Sequence, residues 1–332
     1  MESYDRRRLL AAAAAAGGLL WTRGVLAQAA APAAAQWFPI RPIKLVVPSS
    51  AGGGTDVLAR TVGDRLQDRL GQPTVIDNKP GANGIIGAEA VAHAPADGYT
   101  LLVSANNAMS ANVSLYKKLS YDPVRDFTPV AMLISSPLVL IVNASMPVKT
   151  VPELIALARS KPGQLNFGYG SSHAQIAGHM FCSMAGIKAT PVPYKGPVNA
   201  ITDVATGQIQ FTFETLSGTK AQRAAGAVRS LAVTSERTSR LAPELPTVAQ
   251  TLPGFEYNAW IGVFAPASLA KDVRSRLETE IQAVLRMPEV TQRLTSLGFD
   301  VDPRGSEELA AVLRADIPRL RKIIQEAGLT AE

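Results

Sequence analysis

The stretch Ile43-Lys44-Leu45-Val46-Val47-Pro48-Ser49-Ser50-Ala51-Gly52-Gly53-Gly54-Thr55-Asp56 decides the fold class. Its first five residues are apolar apart from Lys44 and mostly β-branched, the pattern of a buried strand. Beyond Asp56, Leu58, Val62, Leu66 and Leu70 recur every four residues and form one face of a helix. Thr55 or Asp56 suits the helix N-cap, and Gly71 suits the position just past its end. A strand therefore passes through three glycines onto a helix N-terminus. Such a loop lets backbone N–H groups approach an anion, and the helix dipole favours the negative charge. A plain tight turn before a capped helix accounts for the same residues. No Lys-Ser/Thr pair follows the glycines and the glycines are contiguous, which excludes a Walker loop and a dinucleotide fingerprint.

Working outward, the strand–helix alternation continues. Residues 74–77 read as a second strand, 85–92 as a short helix after the turn at 78–84, and 99–104 as a third strand. Further strands are expected at 138–142, 165–169, 209–213, 230–234 and 260–264, with 190–193 extended. Helices are expected at 151–159, from Gly170-Ser171-Ser172-His173 through 185, at 199–206, and from Lys271 onward. Strands alternating with helices imply a parallel or mixed sheet with crossover helices. At roughly 100–200 residues per domain, 332 residues suggest two α/β lobes, with the strands' C-terminal ends facing a cleft.

Composition narrows the function classes. With 47% hydrophobic residues the chain can bury an ample core, which excludes disorder. Cys182 is the single cysteine, which excludes a disulfide scaffold. Arg6, Arg7 and Arg8 precede an apolar run of 13 residues, too short for the roughly 20 of a membrane span. Val25-Leu26-Ala27 follows, so residues 1–27 read as a secretory signal cleaved after Ala27. The arginines also fit a twin-arginine signal. Residues 28–36 would be a loose tail, and the protein periplasmic. Removing residues 1–27 leaves 29 basic and 25 acidic residues with no basic stripe, so no nucleic-acid footprint is expected.

Catalytic patterns are weak. Ser171, Ser172 and His173 are adjacent in sequence, but no Gly-x-Ser-x-Gly elbow is present. A secreted hydrolase using Ser172 and His173 is the enzymatic alternative. His179 and Cys182 share a helix at i, i+3 among apolar neighbours, where a buried structural cysteine is the simpler reading. Three histidines and one cysteine give no zinc spacing, so no metal is expected. His93 reads as a solvated helix cap. Glu214 is expected just after a strand, either as an exposed loop acid or as an ionised group facing the cleft. In the cleft it would repel a second carboxylate and attract an ammonium.

Several segments together resemble one family: Val47-Pro48 with 51–60, then 78–92, 96–102, Tyr121-Asp122-Pro123 with 126–130, 192–196, and 231–235 with Leu245-Pro246-Thr247-Val248. The resemblance is to the substrate-binding receptors of tripartite tricarboxylate transporters, the TctC or Bug family. It implies a type II periplasmic binding-protein fold, with no cofactor and no catalysis. A small carboxylate (a di- or tricarboxylate, an amino acid or an aromatic acid) would lie between two lobes, residues 37–137 plus 258–332 and residues 138–257. It implies delivery to membrane permease subunits by a monomeric receptor; a ligand-presenting protein for a sensor kinase would bind in the same way. Carried over from that family, the ligand-facing residues are Ser49, Gly52, Gly53, Gly54, Thr55, Asp56, Asn83, Gly84, Ser171, Ser172 and His173. Glu214 joins them where the family commonly has Asp. Two other departures are the absence of an aromatic and proline at Ser49-Ser50 and a short loop at 169–174.

Overall fold

The structure, a computed structural model, describes residues 38–326, so the expected signal and tail lie outside the described residues. Strand β1 (Ile43–Val47) pairs in parallel with β2 (Thr74–Asn78) on one side and β3 (Thr100–Ala105) on the other. The crossovers are helices α1 (Gly54–Leu70) and α2 (Ile85–Ala92). Strand β9 (Asn258–Pro266) runs antiparallel between β3 and β4 (Phe127–Asn143). Residues 127–137 of β4 pair with β9, and residues 138–143 pair with β7 (Phe211–Thr215) and β8 (Val228–Val233). Strand β5 (Leu165–Tyr169) then lies parallel between β7 and β6 (Ala189–Pro193).

A turn of π-helix, Asn107–Ala111, leads from β3 into α3 (Asn112–Leu115). The remaining helices are α4 (Val151–Ser160), α5 (Ser172–Ala185), α6 (Pro197–Thr206), α7 (Lys220–Ala224), α8 (Lys271–Leu285), α9 (Pro288–Ser296) and α10 (Ser306–Glu326). No helix among the described residues is long and apolar enough to cross a membrane.

Burial explains the placement. Leu58, Val62, Leu66 and Leu70 are all buried, as their spacing requires. One cluster gathers Phe167, Phe181, Phe211, Phe213 and Phe255 against Leu138, Leu140 and Val142 of β4. Another joins Val46, Leu102, Phe127, Trp260, Phe264 and Leu309. Each such side chain contributes about 1.5–3 kcal/mol of transfer free energy. Trp260 Nε1 donates to Asp316 Oδ2 at 3.1 Å, which satisfies the one polar atom it buries.

Three expectations are corrected. The strand read at 138–142 is the end of a strand of 17 residues, because Pro129 and Pro137 mask its start. Pro129 is tolerated at a shift in register against β9. The strand read at 209–213 begins at Phe211 and ends at Thr215, so Glu214 is inside it rather than beyond it. The N-cap of α1 is Gly53, not Thr55 or Asp56. Asp56 is the third residue of the helix, and its side chain reaches back to the loop, accepting from Gly52 N.

Candidate ligand-binding site

The parallel register Val47↔Asn78 carries Asn78 to the start of the glycine loop. There the Asp56 carboxylate organises everything around it. Its Oδ2 accepts from Gly52 N at 2.8 Å and Arg60 Nε at 3.0 Å. Its Oδ1 accepts from Asn78 Nδ2 at 2.9 Å and pairs with Arg60 Nη2 at 2.9 Å. Asn78 Nδ2 also reaches Ser49 O at 3.1 Å. Asp56 is buried, and hydrogen bonds from Arg60 hold its pKa down to about 2. With both oxygens engaged by protein donors, its side chain braces the loop and is not open to a ligand.

The backbone divides in the same way. Gly52 N–H is held by Asp56, and Gly53 N–H donates to Ser50 O at 3.1 Å. Val57 N–H starts the helix by donating to Gly53 O at 2.9 Å. The first-turn N–H groups of Gly54, Thr55 and Asp56 have no intrahelical acceptor, as at any helix start. Beside them, Ser49 Oγ is buried with no hydrogen-bond partner. Of the loop residues singled out from the sequence, Ser49 through its Oγ and Gly54, Thr55 and Asp56 through their N–H groups have donors not used within the loop or helix; the N–H groups of Gly52 and Gly53 are already taken.

Two neighbouring loops adjoin this one. A Cβ built on Gly84 would lie 3.1 Å from Ala108 Cβ and 3.5 Å from Pro48 Cβ. Asn83 Nδ2 donates to Asn112 Oδ1 at 2.7 Å, and Asn107 Nδ2 donates to Asn83 Oδ1 at 2.9 Å. Next to Asn107, Asn106 Oδ1 is 2.8 Å from His173 Nε2, while Asn106 Nδ2 donates to Asn258 O at 3.2 Å. The asparagines after β3 thus join Asn83 and Gly84 to the start of α5. The sequence reading missed Asn106 and Asn107, although two polar residues at the end of an apolar strand could have signalled them.

At α5, Ser171 is the N-cap, its Oγ accepting from Ala174 N at 3.2 Å. Ser172 and His173 open the helix. Burial pushes the His173 pKa down to about 4, so the imidazole is neutral at pH 7 and donates through Nε2 to Asn106. No hydrogen bond joins His173 to Ser171 or Ser172 among the described residues, which leaves the hydrolase alternative without a nucleophile–base pair. Gly170 must be glycine, because a Cβ there would fall 2.1 Å from the carbonyl carbon of Gly196.

Glu214 is in β7 opposite Val139, only 4% exposed, with Oε1 lacking any hydrogen-bond partner. Desolvation raises its pKa to about 7. It is therefore neither an exposed loop acid nor a fully ionised cleft group. The solvated reading of His93 agrees with its exposed position at the end of α2. Cys182 is partly buried, and burial pushes its thiol up to about 12, which makes it inert. Among the described residues, no cluster of three or more His, Cys, Asp or Glu side chains could hold a metal.

Comparison with known proteins agrees with this architecture. Residues 58–329 match the family model for the tripartite tricarboxylate transporter family receptor. The chain is 35% identical over 299 residues to the UPF0065 protein in the tcbD-tcbE intergenic region of Pseudomonas sp. (strain P51), covering 89% of this chain and 88% of that one. It is 32% identical over 306 residues to protein BugT of Bordetella pertussis, covering 91% and 94%. Among solved structures, R. palustris Rpa4515 with adipate is 35% identical with a TM-score of 0.75, covering 89% of this chain and all of that one. MatC (Rpa3494) from Rhodopseudomonas palustris with bound malate is 31% identical with a TM-score of 0.71, covering 86% and 100%. The chain belongs to the tripartite tricarboxylate transporter receptor family, as a solute-binding receptor with the type II periplasmic binding-protein fold.

Proposed function

We propose that this receptor closes on a small carboxylate in the periplasm and delivers it to the membrane permease subunits of a tripartite transporter. The observation that carries the reading is the α1 N-terminus. Its first-turn N–H groups follow Gly53, where a Cβ would lie 3.7 Å from the unpartnered Ser49 Oγ, in a loop fixed by the Asp56 brace. Neutral donors of this kind suit a carboxylate, which takes several N–H bonds at once. Adipate and malate in the two related structures are both dicarboxylates. The proposed ligand set is Ser49, Gly54, Thr55, Asp56 through its N–H, Asn83, Gly84, Ser172 and His173. Residues 138–257 form one lobe and the chain on either side forms the other, with β4 and β9 as the crossings.

A thermal-shift screen of mono-, di- and tricarboxylates, amino acids and aromatic acids tests this reading. A ligand at 100 times its dissociation constant adds about 2.7 kcal/mol of stability. The same ligand should compact the molecule in X-ray scattering, because the lobes hinge about the two crossing strands. No stabilisation by any of these acids, or turnover of one of them, overturns the proposal.

A further inference from the structure

Phe299, in the connection between α9 and α10, lies against the glycine loop. Its ring Cζ comes within 3.5 Å of the point where a side chain on Gly54 would begin. Gly54 is the first residue of α1, next to the N–H groups assigned above to the carboxylate. Phe299 is only partly buried, so part of its surface is accessible.

The backbone carrying it is fixed on both sides. Phe299 N–H donates to Leu294 O at 3.0 Å, Asp300 N–H to Ser136 Oγ at 2.8 Å, and Ser135 N–H to Asp300 O at 3.0 Å. Gly298 has φ +84° and is pressed against the loop after β7, where an added Cβ would fall 2.4 Å from Ser217 Cβ. Only glycine satisfies both the angle and the contact. A backbone held this firmly leaves only the side-chain rotamer of Phe299 to be ordered when a ligand packs on the ring.

We propose that Phe299 is a specificity-determining residue: its ring packs on the carbon skeleton beside the bound carboxylate and favours methylene or aryl carbons over hydroxylated ones. A hydroxyl turned toward the ring would leave water and gain no hydrogen bond. The inference rests on the carboxylate reading of the α1 N-terminus.

Calorimetric titrations with length-matched pairs test it: succinate against malate, and adipate against 3-hydroxyadipate. The wild type should prefer the unhydroxylated member of whichever pair binds by about tenfold, a typical size for one apolar contact. Phe299→Ala should bring that ratio near unity, and Phe299→Leu should keep most of it; melting curves confirm that each variant is folded. Wild-type indifference to the hydroxyl, or an unchanged ratio in folded Phe299→Ala, overturns the inference while leaving carboxylate binding intact. Failure of all four acids to bind wild type overturns the inference, and the carboxylate reading falls with it only if the wider screen of acids is empty too.

Discussion

Asp56→Ala should destabilise the protein by about 3 kcal/mol and abolish measurable carboxylate binding. The substitution strips acceptors from Gly52 N–H, from Asn78 Nδ2 and from the Arg60 guanidinium together. Leaving a buried donor unsatisfied costs about 1–3 kcal/mol, more where a charge is involved. Part of that is recovered because the Arg60 side chain is half exposed and can turn to water. The loop would lose the bonds that orient it, so affinity falls even though the Asp56 side chain touches no ligand in this account. Asp56→Asn should be intermediate, since the amide keeps one acceptor. The sign with pH follows from the depressed pKa of about 2. The brace is intact above the ordinary carboxylate range and is lost as pH falls toward that value. Urea melts of the three proteins at pH 7 and pH 3 check both points, with Asp56→Ala expected to show the smaller pH dependence.

Glu214→Gln should act in the opposite direction. Burial raises the pKa of Glu214 to about 7 from the ordinary glutamate value of 4.5. Between those two values the folded state holds a proton that the unfolded state has released, so stability falls as pH rises through this window. Above pH 7 the full penalty of about 3 kcal/mol is in force, from 1.36 kcal/mol per unit. A neutral glutamine escapes it. At pH 8 Glu214→Gln should therefore melt higher by about 6–12 °C, given roughly 2–4 °C per kcal/mol for large domains. At pH 4.5 the two proteins should melt together. A variant that melts lower at pH 8 would mean that the carboxylate has a partner that its buried, unpartnered Oε1 does not reveal.

Legibility in the sequence followed locality. The βα unit from Ile43 to Leu70 was readable because a continuous apolar run and a four-residue spacing each have one simple interpretation. Strand β5 and the stop of α5 at Gly186 were readable for the same reason. The first eleven residues of β4 were not, because Pro129, Ser135, Ser136 and Pro137 break its pattern, and only pairing with β9 makes them a strand. In the candidate site, the glycine loop announced itself, but the direction of its N–H groups did not. Arg60 reaches Asp56 within one helix, but Asn78 meets both only after β1 and β2 pair, and Asn106 meets His173 only after distant loops converge. Glu214 was misplaced by a boundary error of two residues, enough to turn a buried side chain into an apparently exposed one.

The central claim is that backbone N–H groups at the start of α1 grip the carboxylate, and Gly54 tests it cleanly. Proline at the first helical position keeps the required φ and replaces the N–H with a ring carbon. The preceding Gly53, at φ −70° and ψ 162°, already has the extended conformation that a residue before proline adopts. A Cβ at residue 54 makes ordinary van der Waals contact with Phe299 at 3.5 Å. Gly54→Ala adds the same Cβ and keeps the donor, which makes it the matched control. In calorimetric titration with the best acid from the screen, Gly54→Pro should weaken binding by tenfold or more relative to Gly54→Ala, about 1.4 kcal/mol, with melting temperatures alike. Equal affinities for these two folded variants would contradict the assignment of the α1 N-terminus as the carboxylate site.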